Sequence, residues 1–95
     1  MEITDIKVRI VHCSSKIKAI ASITIDDCFA IHDIKVVEGA SGLFVGMPAR
    51  RGEDGVFRDI VHPIETETRQ RITELILNEY RETLKREQEA EKEGL

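Results

Sequence analysis

A chain of 95 residues is long enough for one domain with a thin core, because a small chain leaves much of its surface in water. Its 14 basic and 18 acidic residues give a formal net charge of -4, so no global field draws it to polyanions and any nucleic-acid contact must come from a local patch. No run approaches the ~20 apolar residues of a membrane span, and residues 1–11 lack the apolar stretch of a secretory signal. A soluble, cytoplasmic protein with free thiols at Cys13 and Cys28 is expected.

Of 20 Ile plus Val residues, 17 precede His62, whereas four of the five Leu follow it. Beta-branched side chains fit a pleated surface and Leu fits a helix, so residues 1–61 are expected to form a sheet, 64–88 a helix and 89–95 a charged tail. Ile6, Val8, Ile10 and His12 alternate with Asp5, Lys7, Arg9 and Val11, the period of a half-buried strand. Ser14 and Ser15 interrupt it. Ile17, Ala19, Ala21, Ile23 and Ile25 then resume the alternation, which makes the pair an antiparallel hairpin. The small Ala19 and Ala21 leave space for something bulky, such as the C-terminal helix.

Asp26 and Asp27 supply the next turn. In the third strand, residues 28–38, Phe29 and Ile31 share one parity while Ile34 and Val36 share the other, which predicts a bulge near His32 and Asp33. Gly39 to Gly42 form a loop. Two further strands, Leu43 to Met47 and Val56 to Val61, are expected to flank a polar loop that carries Arg50, Arg51, Gly52, Glu53, Asp54 and Gly55. Pro63 ends the sheet, and Thr66 is the expected helix N-cap. Ile72, Leu75, Ile76, Tyr80 and Leu84 then recur at helical spacing, and this stripe is expected to pack on the sheet. Beyond it, Glu82 with Arg86 and Lys85 with Glu89 are spaced as ion pairs. The fold class is therefore α+β: an antiparallel sheet of about five strands followed by one helix, a single domain that dimerises through its uncovered sheet edges.

For function, arginine offers a planar fork of donors that matches phosphate, and Arg50, Arg51 and Arg58, with Arg69 and Arg71 in the helix, could make a five-cation patch. Glu53, Asp54, Asp59, Glu65 and Glu67 offset it, so an ordinary mixed surface is the competing reading. His12, Cys13, Cys28 and His32 resemble a zinc set only superficially. On strands His12 and Cys13 point to opposite faces, and Cys28 and His32 stand about 13 Å apart. No metal, cofactor or small-molecule substrate is implied. Ser14 and Ser15 lack a nucleophile elbow and Gly39, Gly42 and Gly46 lack a phosphate-loop ending, so the chain is not expected to be an enzyme. Phe29, Phe44 and Phe57 lie inside apolar runs and are expected in the core, which argues against binding dominated by base stacking.

Gly42-Leu43-Phe44-Val45, Met47-Pro48, Arg50-Arg51, Gly55, Phe57-Arg58-Asp59-Ile60 and His62-Pro63 together resemble the stage V sporulation protein G, or septation regulator, family. Thr4-Asp5-Ile6, Ala19 to Ile23 and His32 to Val36 agree as well, so the likeness spans about residues 1–80. The resemblance implies a bacterial homodimer with its sheet continued across the dimer. It also implies a DNA-binding regulator of sporulation and septation, with RNA binding in addition, in which the basic residues correspond to Arg50, Arg51, Arg58, Arg69 and Arg71. Ala49 departs from the family's usual Ser, and Gly52-Glu53-Asp54 adds two acids beside the arginines. A protein-interaction adaptor with incidental nucleic-acid binding is the alternative.

Overall fold

The computed structural model describes residues 1–12 and 15–93, with side chains through Ala90. Cys13, Ser14, Gly94 and Leu95 fall outside it, and with them the expectations for the Cys13 thiol, the first half of the serine turn and the very end of the tail.

Four strands, β1 (Ile3–Ile10), β2 (Ile17–Ile25), β3 (Phe29–Gly39) and β4 (Gly42–Gly46), form an antiparallel sheet in sequence order. The β2–β3 connection is the three-residue Asp26-Asp27-Cys28, with Asp26 and Asp27 at φ 50° and 55°. Positive φ at both positions is the geometry that matches strand twist. The Cys28 N–H closes the turn on the Ile25 carbonyl at 3.1 Å. Cys28 itself is free and exposed.

The expected bulge falls at His32 and Asp33. Ala21 pairs with Ile34 but Ile23 pairs with Ile31, so three steps on β3 face two on β2, and Asp33 takes φ 62°. That extra residue returns Ile31 to the same face as Ile34. On this face Ala19, Ala21, Ile23, Ile34 and Val36 are buried together with Met47 and with Ile72, Ile76 and Tyr80 of the helix α1 (Thr66–Glu93). The two alanines make room for the helix side chains above them. Full burial of an Ile such as Ile23, Ile34 or Ile76 stabilises by about 1.5–3 kcal/mol each.

The helix runs nearest β1 and β4, the two outer strands, and so crosses the sheet diagonally. At its far end His12 Nε2 meets Glu87 Oε1 at 2.6 Å. Three local expectations change. Leu77 rather than Leu75 joins the packed cluster, because Ile72, Ile76, Tyr80 and Leu84 each advance the stripe by about 40° toward the Leu77 side. Glu65, not Thr66, occupies the cap, since its carbonyl accepts the Arg69 N–H at 3.0 Å as the first helical bond. Arg86 turns back to Glu79 at 3.0 Å instead of pairing with Glu82, with Thr83 Oγ1 accepting a second bond at 3.1 Å.

The three phenylalanines are exposed rather than buried: Phe29 by 59%, Phe44 by 51% and Phe57 by 66%. Phe44 lies between Leu43 and Val45, which face the core, and therefore projects to the other side. Phe29 adjoins the turn, and Phe57 belongs to strands that have no core of their own.

Candidate nucleic-acid interface

The stretch after β4 folds differently from a simple strand-loop-strand. Pro48 lacks an N–H and ends β4. The chain then forms a separate two-stranded ribbon, β5 (Ala49–Arg51) and β6 (Phe57–Asp59), with Ala49 opposite Asp59, Arg50 opposite Arg58 and Arg51 opposite Phe57. The run Leu43 to Met47 thus pairs with β3, not with Val56 to Val61, and Arg50 and Arg51 stand on a strand instead of in the loop. The ribbon's base is closed by the Ile60 N–H on the Pro48 carbonyl at 2.7 Å. Every residue of β5 and β6 is exposed, and the ribbon packs substantially on neither the sheet nor the helix among the described residues.

At the tip, the Gly52 N–H bonds the Val56 carbonyl at 2.9 Å and the Val56 N–H bonds Asp54 Oδ1 at 3.1 Å. Arg58 donates to the same carboxylate, Nη2 to Oδ2 at 2.7 Å and Nη1 to Oδ1 at 3.3 Å. The Arg58 guanidinium, with help from the Val56 N–H, holds the Asp54 carboxyl below its ordinary value. Gly52 makes this pair possible, because a Cβ there would stand 2.7 Å from Arg58 Nη1 and 2.9 Å from Asp54 Oδ1.

Opposed residues on adjacent strands project to one side, so Arg50 and Arg58 share a ribbon face while Arg51 and Phe57 lie on the other. Arg50 and Arg51 make no ion pair among the described residues. Both nonetheless border one open depression with Gly52, Glu53, Arg58 and Asp59. Arg69 and Arg71 are exposed on the first turns of α1, about 200° apart around its axis, and neither borders that depression. The structure therefore groups three of the five arginines and leaves two apart. What the sequence did not reveal is the apolar surface around the ribbon: Val56, Phe57, Ile60 and Ile64 are 52%, 66%, 63% and 91% exposed. No local signal marked it, since Val56 to Val61 reads as an ordinary strand beside the run Leu43 to Met47.

A four-stranded antiparallel sheet, one helix across one face and an arginine-bearing two-stranded arm define a small α+β protein built around an exposed ribbon. The chain matches the SpoVG family over residues 1–82 and belongs to that family. It is 52% identical over 94 residues to a protein of Geobacillus thermodenitrificans named "Putative septation protein SpoVG", covering 99% of this chain and 98% of the relative. A protein of the same name from Agathobacter rectalis is 54% identical over 81 residues, covering 85% and 93%. One from Phytoplasma australiense is 48% identical over 84 residues, covering 88% of each. No helix among the described residues is long and apolar enough to cross a membrane.

Proposed function

We propose that this protein is a nucleic-acid-binding homodimer that regulates gene expression connected with sporulation and septation. The observation that carries the reading is the freestanding β5–β6 ribbon, with Arg50 opposite Arg58 on one face and Arg51 on the other. A two-stranded ribbon is one of the two elements that the DNA major groove admits, and arginine forks suit both phosphates and the guanine edge. The septation named for its relatives supports the cellular setting. A dimer would present two ribbons about a two-fold axis, as a repeated or palindromic site requires.

The test is a gel shift of the Arg50→Ala, Arg51→Ala variant against duplex DNA and matched RNA pools. The expected outcome is loss of the shifted band in a variant that still melts as the parent does. Salt should weaken the parent's duplex binding with a logarithmic slope of ~0.9 per neutralised phosphate. Unchanged affinity in the variant would overturn the reading.

The second reading is a protein-interaction adaptor, favoured by the exposed Val56, Phe57, Ile60 and Ile64. It predicts a flat salt profile with nucleic acid and a partner whose capture depends on Phe57.

A further inference from the structure

The helix covers one face of the four-stranded sheet and, among the described residues, leaves the other bare. On the bare face the pairing register aligns Arg9, Ile20 and Lys35 across β1, β2 and β3. Lys7 lies opposite Ser22 in the next row, and Val37 lies opposite Phe44 toward β4. Strand spacing places Arg9 and Lys35 roughly 10 Å apart across Ile20, and two residues along β1 place Lys7 about 7 Å from Arg9. Lys7, Arg9 and Lys35 make no ion pair among the described residues. The bulge opens a depression of about 240 Å³ on this face, bordered by Lys7, Arg9, Ile20, Ser22, His32 and Asp33. Asp33 there and Asp5 at the end of the face are the carboxylates that oppose these cations.

Phe44 supplies the second element. Its ring is half exposed and lies against Gly39, where a Cβ would stand only 2.9 Å from the ring's Cε1. The glycine leaves room for the ring, which is held there half exposed to solvent.

We propose that this open sheet face binds single-stranded nucleic acid, with a base stacked on Phe44 and the backbone phosphates drawn to Lys7, Arg9 and Lys35. A base can lie on an aromatic ring only when it is unstacked, and a bare sheet bearing an aromatic platform among cations is suited to such strands. Duplex fits the face poorly, because no helix or ribbon rises from it to enter a groove. The surface is separate from the β5–β6 arginines and does not rest on their reading.

The test is fluorescence anisotropy with a labelled oligothymidylate of roughly 12 nucleotides, within the site sizes of single-strand binders. Phe44→Leu is expected to weaken binding by about five- to a hundredfold, and Phe44→Tyr to retain it, since both rings stack. The triple variant Lys7→Gln, Arg9→Gln, Lys35→Gln leaves the buried residues untouched and should lower the salt slope by about 2, at ~0.7 per phosphate on a single strand. The proposal is overturned if the parent does not bind the oligonucleotide, or if Phe44→Leu and the triple variant both bind as the parent does. Loss of single-strand binding in Arg50→Ala, Arg51→Ala, with the sheet-face variants unaffected, would place the strand on the ribbon instead.

Discussion

Asp54 holds two jobs at the ribbon tip, accepting the Val56 N–H and both Arg58 nitrogens. The second job removes a cation from the patch. Asp54→Asn keeps an acceptor for Val56 while releasing Arg58 and deleting a negative charge, so duplex affinity should rise severalfold and its salt slope should steepen by about 1. A binding isotherm at two salt concentrations checks this. The pH sign follows from the lowered carboxyl: the pair's contribution is present above the ordinary carboxyl value of 3.8 and disappears as pH falls through the lower folded value. Near neutral pH the contribution is fully present and does not vary with pH. Asp27 offers a second test at the same scale. It holds φ 55° in a turn where Gly carries no Cβ penalty, and its N–H donates to Thr4 Oγ1 at 3.0 Å, a bond that Gly can also make. Asp27→Gly should raise Tm by about 4–8 °C, corresponding to ~1 kcal/mol in a chain of this size, as read by a thermal melt.

At the level of elements, the β3 bulge decides which side chains meet the helix. Without the extra residue, Ile31 and Phe29 would swap faces and Ile31 would leave its place opposite Ile23. Deleting Asp33 should therefore cost several kcal/mol, comparable with losing a large core side chain, and a denaturant titration should show the midpoint fall steeply. The ribbon stands at the other extreme. Its two strands have three residues each and are exposed throughout, and an isolated two-stranded hairpin is marginal in water. Ribbon order then depends on the Asp54 tip, on the Ile60 to Pro48 bond at its base and on whatever covers its apolar side.

For the whole molecule, the Cα radius of gyration is 14.6 Å, against about 12 Å for a compact domain of this length. The excess reflects the long helix and the projecting ribbon. Surface left open in this way suits association with a second copy. Sedimentation equilibrium should yield twice the 10.8 kDa chain mass at micromolar concentration. A monomeric parent would sink the dimer reading.

Much was determined by the amino-acid sequence itself, because the signals were local. Period-2 alternation marked β1 and β2, the parity change between Ile31 and Ile34 located the bulge, and the apolar stripe from Ile72 to Leu84 located the helix and its buried face. Adjacent arginines and their competing acids were legible too. Only the tertiary structure decided which runs pair, since pairing depends on where Pro48 interrupts the chain and on which edges remain free. It also decided which face of each strand the helix covers, and so turned Phe44 outward and left Phe57 without a core. A phenylalanine inside an apolar run reads as core whichever way it points. Its environment is set by strand pairing and by packing from afar, and for Phe44 those are Gly39 across the β3–β4 turn and a helix that lies on the other side of the sheet.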